Sequence, residues 1–274
     1  MTNKKSEKPM DSTDLSDSEV QELFDHAQTD GVLSPAAMQV LTAVDLGAQI
    51  QAGLGVGVDD VCASEVLLLT QMPDDSGSIR MAGNAAAVRD GHNLVLESLL
   101  ASKQREGVLA HTRYLNGHVL FPYVAIDQAI KMTSQNYDPN LGTPLYDQTV
   151  VLLGSVLAKT QAFQDAGVVA RTVTLLITDG GDAGSIRAKA SDVAAIVRDM
   201  QKAENHIVAA MGISDGSTDF HQVFRDMGIE DRWILTPANH KADIRRAFQV
   251  FSQSAVRASQ AATFSPSAMA GFIN

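Results

Sequence analysis

EVLLLTQMPDDSGS, residues 65–78, is a nearly continuous apolar run that ends at Pro73 and passes at once into a tight turn carrying Asp74, Ser76 and Ser78 in a D-x-S-x-S arrangement. Such a run reads as a strand buried on both faces, and in doubly wound sheets ligands bind outside the carboxyl ends of such strands. Alternate residues of the turn can point the same way, so hard oxygen donors are gathered where a cation can be held. The plain alternative is a polar strand-to-helix turn.

Working outward, short β-branched runs alternate with longer amphipathic ones. Strands are expected at 65–71, 107–115, 119–123, 172–178, 207–213 and 233–235, and helices at 84–102, 126–132, 144–166, 191–204, 220–227 and 241–260. The pattern predicts an α/β fold, a doubly wound, mostly parallel sheet with helices on both faces. Only Asn116-Gly117-His118 separates the second and third strands, and Asn-Gly is a strong hairpin signal, so one edge strand should run antiparallel. In the helix at 191–204, Val193, Ile196, Val197 and Met200 share the face that covers the sheet.

Two further segments end on oxygen donors. LGTPLYD places Thr143 before Pro144 at the start of a long helix, with a simple N-cap as the alternative role. TVTLLITDGGD, residues 172–182, ends its strand at Asp179 before Gly180-Gly181, with an ordinary turn residue as the alternative.

Taken in order, D-x-S-x-S after the first strand, Thr before the central helix and Asp-Gly after the fourth strand resemble the von Willebrand factor A (vWA) pattern, over roughly residues 62–256. Stand-alone bacterial intracellular members are the most similar. The resemblance implies a Rossmann-like vWA fold with a complete metal-ion-dependent adhesion site (MIDAS), in which Asp74, Ser76, Ser78, Thr143 and Asp179 bind one divalent cation. It also implies that the Ser and Thr hydroxyls ligate directly, that the Asp carboxylates act largely through water, and that an open position captures an Asp or Glu carboxylate of a partner protein. A MoxR-type AAA+ ATPase, or a stress or defence system, is the partner class implied for bacterial members. With no His or Cys at ligand spacing, the donors favour Mg²⁺ over zinc, with Mn²⁺ or Ca²⁺ as substitutes. Asp75, Asp138, Asp182 and Asp215, with Asp219 beside the last, are candidates for the rim that tunes the metal or selects the partner.

The implied domain spans 61–262. Before it lie a solvated, disordered tail at 1–18 and a helical extension with a glycine-rich linker at 19–60, and after it a tail at 263–274. Within the extension, Ser34-Pro35 opens a helix with Met38, Leu41, Val44 and Leu46 near helical spacing. An assembly subunit that offers this segment to another chain is the alternative function. In the last helix Ile244, Phe248, Phe251 and Val256 form the packing face; in adhesive vWA domains its counterpart shifts when the metal site changes state.

Composition narrows the classes further. With 21 Lys plus Arg against 32 Asp plus Glu, the formal charge is −11, which disfavours nucleic acid and anionic membranes. No apolar run approaches the ~20 residues of a membrane span and no leader is visible, so a cytoplasmic protein is expected. Cys62 is alone and forms no internal disulfide. A hydrolase using Ser76 or Ser78 would need a general base, yet none of the seven His residues sits in a triad motif, and His221 is the nearest in the expected fold. No enzyme is therefore expected. Gly53-Leu54-Gly55-Val56-Gly57 matches neither a P-loop nor a dinucleotide fingerprint. Arg80, Arg89 and Arg113 are scattered, and Tyr114, Phe121 and Trp233 fall in strands, so no base-stacking platform is visible.

Overall fold

The computed structural model describes residues 17–43, 46–261 and 264–272. The tail expected at 1–18 lies outside them up to residue 16, as does Val44. Six strands, β1 (Glu65–Pro73), β2 (Val108–Arg113), β3 (Val119–Ala125), β4 (Val169–Thr178), β5 (His206–Gly212) and β6 (Ile234–Leu235), form one sheet in the order β3-β2-β1-β4-β5-β6. All neighbours are parallel except β2 and β3, which turn back through Asn116-Gly117, where Gly117 has φ +90°. From β1 the chain moves to one side of the sheet and from β4 to the other. The topological switch point, where doubly wound folds bind ligands, therefore falls between the carboxyl ends of β1 and β4. Asp74 and Asp179 are the residues that follow those ends.

Helices cover both faces. α5 (Ala85–Leu100) packs along α9 (Lys241–Gln260), so closely that Phe248 lies on the backbone of Gly91, where a Cβ would stand 2.0 Å from its ring. α6 (Leu145–Asp165) packs on β1, β4 and α7 (Ala190–Lys202). Its residues from Thr149 to Gln161 are buried without a break, as in a helix enclosed on all sides. The far side of α6 is closed by α1 (Asp17–Thr29), α2 (Pro35–Leu41) and α3 (Gly47–Gln51). Ser34 caps α2 through the Ala37 N–H, and the Ser34 N–H donates to buried Asp199 of α7 at 2.8 Å. The remaining helices are α4 (Gly77–Met81) and α8 (Phe220–Asp226).

The glycine run is fastened to the sheet edge rather than looping free. Tyr123 N donates to Gly53 O and Val56 N donates to Tyr123 O, while Lys159 donates to Val56 O. Gly55, at φ +59°, lies so close to Tyr123 that a Cβ would meet its carbonyl oxygen at 2.0 Å. At the other terminus, Arg232 donates to Ser267 O and Met269 O, and Phe272 packs edge-on to Trp233.

The helix expected at 126–132 is a single 3-10 turn, Ile126–Gln128. Asn93 supplies the physical reason: its side chain accepts from Met132 N at 2.8 Å and donates to Met132 O at 2.9 Å, taking the backbone groups a helix would need. α4 was not expected from the sequence and begins one residue after Ser76.

Three histidines are buried and neutral. Burial pushes His92 down to about 4 and His206 down to about 3, and burial with the nearby Arg113 charge pushes His111 down to about 3. Each value lies below the ~6.5 of an unfolded histidine, so between those limits the unfolded chain binds more protons. Stability is complete above about pH 6.5 and is lost as pH falls, by roughly 2 kcal/mol per histidine at pH 5. Burial also raises the folded pKa values of Asp74 and Asp75 and that of Asp179, to about 6, which acts in the opposite direction and offsets part of the histidine effect. Denaturant midpoints measured in chelator should therefore fall steeply from pH 7 to pH 5. A flat profile would show that these imidazoles are solvated.

Candidate metal centre

β1 and β4 run side by side with Pro73 opposite Ile177, which sets Asp74 beside Thr178. Asp74 is fully buried; its Oδ2 accepts from Thr178 Oγ1 at 2.7 Å and its Oδ1 from Ser76 N at 2.7 Å. The local turn bond is thus real, but only one of the two oxygens serves it. Ser76 Oγ lies 2.8 Å from Ser78 Oγ, which donates to Asp179 Oδ1 at 2.6 Å. Thr143 is carried to the same rim by its neighbours: Leu141 pairs with Ser76, and Thr143 exchanges both backbone hydrogen bonds with Ala183, just past the Asp179 turn.

Neither simple role considered for Thr143 and Asp179 accounts for their side chains. The N-terminus of α6 is capped from the β4–α7 connection, where Ser185 Oγ accepts from Tyr146 N and Asp147 N at 3.0 Å each, leaving Thr143 no capping bond. Asp179 reaches a hydroxyl 101 residues away in sequence.

The rim candidates separate. Asp75 is buried and accepts from the backbone and side-chain N–H groups of Asn116, tying the β2–β3 turn to the β1 turn. Asp138 is exposed and faces Arg80 at 3.9 Å. Asp182 accepts from Ser185 Oγ at 2.5 Å and helps to cap α6. Asp215 accepts from the backbone and hydroxyl groups of Ser217 and Thr218, which hold its carboxyl well below the usual range.

Several supporting residues carry no motif. Thr178 orients Asp74, the Tyr137 hydroxyl donates to Asp74 O, and Asp147 accepts from the N–H groups of Ile186, Arg187 and Ala188 at 2.9, 3.1 and 2.7 Å. This last set bolts the connection after Asp179 to the helix that follows Thr143.

The donors fit a small hard cation. Hydroxyl and carboxylate oxygens, the hard ligands such an ion would take, are linked here by hydrogen bonds of 2.8 Å from Ser76 to Ser78 and 2.6 Å from Ser78 to Asp179. Burial raises the pKa of Asp74, and burial with repulsion from Asp74 and Asp215 pushes Asp179 up to about 6. No Lys, Arg or His side chain among the described residues is a hydrogen-bond or ion-pair partner of either carboxylate. Among the described residues no three His, Cys, Asp or Glu side chains cluster to hold a metal. The rim brings together the carboxylates of Asp74 and Asp179 and the hydroxyls of Ser76 and Ser78, with the Thr143 backbone bridged to Ala183 beside them. Ser76 and Ser78 bond to each other and Ser78 to Asp179, while His221 lies against Asp231 and His26 against Asp165. Cavities of about 720 and 680 Å³ are lined by other parts of the chain, whereas one of about 660 Å³ between α2, α6 and α7 is also lined by Asp147 and by Ile186, Arg187 and Ala188 of the connection after Asp179.

No protein-family model matches the chain, and no curated protein matches it by sequence. Its fold is similar to that of the pilus adhesin SpaC of Lactobacillus rhamnosus GG in its open conformation, at TM-score 0.51 and 15% identity, over 70% of this chain and 30% of that one. A von Willebrand factor type A protein from Catenulispora acidiphila matches at TM-score 0.44 and 16% identity, over 71% of this chain and 43% of that one. The chain thus spans about a third of the adhesin it matches. The mostly parallel six-stranded sheet, its reversed edge strand and the helices on both faces define a Rossmann-like vWA fold, the class expected from the sequence. No helix among the described residues is long and apolar enough to cross a membrane.

Proposed function

We propose that the chain is a non-catalytic, divalent-metal-dependent protein–protein interaction module. In this reading Asp74, Ser76, Ser78, Thr143 and Asp179 form the donor set of a MIDAS-type Mg²⁺ site, with Mn²⁺ or Ca²⁺ able to replace Mg²⁺. The observation that carries it is the continuous run of oxygens from Ser76 through Ser78 to Asp179, at the switch point of the sheet, where no basic side chain among the described residues partners Asp74 or Asp179. When bound, the ion supplies a positive centre for an Asp or Glu carboxylate of a partner protein. Thr178, Tyr137 and the Asp147 clamp fix the donors in place, so little rearrangement accompanies binding.

Among the described residues the group that accepts from Ser78 is the Asp179 carboxylate, which this reading assigns to the metal rather than to proton abstraction. The MoxR-type AAA+ ATPase implied by the resemblance is the first partner to test; in this reading 61–262 is the part that corresponds to the vWA domain, with α1, α2 and α3 completing its core.

Titration of Mg²⁺ and Mn²⁺ into the chelator-stripped chain should give saturable heat, lost in folded Asp74→Ala and Asp179→Ala variants. Absence of heat in the wild type, together with a melting temperature unmoved by high Mg²⁺, would overturn the metal reading and favour the assembly subunit.

A further inference from the structure

Helices far apart in sequence, α2, α6 and α7, border a cavity of about 660 Å³, within the ~300–1,000 Å³ of sites that take small organic molecules. Buried Leu46, Val150, Val151 and Ala195 supply an apolar wall. Gln39, Ser191 and Arg198 line the same cavity from exposed positions, so one side is apolar and the other wet. Ile186 lines it as well, and at 87% exposure is the most open large apolar side chain among the described residues. Covering it with the apolar body of an occupant is favourable in proportion to the area removed from water.

The charges of the lining select the head group. Both of its acids are engaged by backbone: Asp147 accepts from Ile186 N, Arg187 N and Ala188 N, and Asp192 accepts from Lys189 N at 2.8 Å. The Arg198 guanidinium is bonded through Nε alone, to Ala194 O at 3.0 Å, and its two Nη groups have no partner among the described residues. A carboxylate matches that planar fork. Asp147 adds a consequence, because it is at once a wall of the cavity and the clamp on the connection after Asp179.

We infer that this cavity is a binding site for a small amphiphile with an apolar body and a single carboxylate head. The body lies against Leu46, Val151 and Ile186 and the head meets Arg198. Occupancy stiffens the connection that follows Asp179, whatever that residue itself binds.

The test titrates octanoate, octanol and octylammonium into the full chain in chelator, which keeps any cation site out of the result. Octanoate should bind at one site, octanol about tenfold more weakly, and octylammonium more weakly still. Arg198→Gln should reduce octanoate to the level of octanol and leave octanol unchanged. Ala36→Trp, at an exposed position of the α2 wall, should plug the cavity and abolish binding of all three, with the melting temperature verifying the fold; Ser191→Phe plugs it from the facing helix should the first variant melt lower. In hydrogen exchange, octanoate at ten times its Kd should slow the Ile186, Arg187 and Ala188 amides about tenfold. Failure of the folded wild type to bind octanoate, a preference for octylammonium, or unchanged binding in the plugged variants overturns the proposal. Octanoate binding without slower exchange at those amides places the ligand elsewhere and overturns it too, as does a self-associated chain that excludes octanoate because a second copy covers this face.

Discussion

Removing residues 1–57 is expected to abolish cooperative folding of the remainder. Val20, Phe24, Leu33, Met38, Leu41, Leu46, Ile50 and Leu54 are all buried, and all belong to the same apolar cluster as the sheet and α6. At about 1.5 kcal/mol each, a low figure for full burial, these eight contribute on the scale of the ~5–15 kcal/mol that holds a typical domain together. Their loss would also bare the outer face of α6, where Gly154 lets Ile50 approach to within 2.7 Å of a would-be Cβ. The fragment should bind a hydrophobic dye and lose near-ultraviolet dichroism. A milder probe, Phe24→Ala in the full chain, should cost about 3–5 kcal/mol in denaturant unfolding. A fragment that folds cooperatively and still takes up Mg²⁺ would instead make the N-terminal helices a docking element for another chain.

That dependence was not legible from composition. Ala36, Ala37, Ala43, Gly47 and Ala48 permit close packing without naming what they pack on, so the extension reads equally well as a brace or as an interface. The uninterrupted apolar run Val150-Val151-Leu152-Leu153 carries the missing signal, because a helix with no polar side needs cover beyond its sheet. That Ser76, Ser78 and Asp179 meet at one end of the sheet was legible, since each follows the end of a periodic run. Their supports were not. Thr178 meets Asp74 across 104 residues, Tyr137 meets it across 63, and Asn116 meets Asp75 across 41, pairings fixed by sheet order and register rather than by local spacing. The 126–132 segment shows the same limit from the other side. Its apolar spacing suits a helix, but Asn93, a residue of α5, takes its backbone bonds.

Asp179→Asn should have opposite effects on the metal-free and metal-loaded protein. In the metal-free state burial and the charges of Asp74 and Asp215 push the Asp179 carboxyl up to about 6, so at pH 7 its ionised form is held at a cost of about 3 kcal/mol relative to an unfolded aspartate near 3.9. An asparagine keeps an oxygen that accepts from Ser78 and removes the charge. In chelator the variant should therefore melt higher than wild type, by about 5 °C for a chain of this size. Adding Mg²⁺ should raise the wild-type melting temperature by mass action, since the ion supplies the missing counter-charge, and should leave the variant unmoved. The two proteins then exchange rank as metal is added, which neither a simple packing defect nor a lost surface charge produces. A variant less stable than wild type in chelator would mean that the carboxylate is already compensated within the fold, and the argument for a cation at this rim would fail with it.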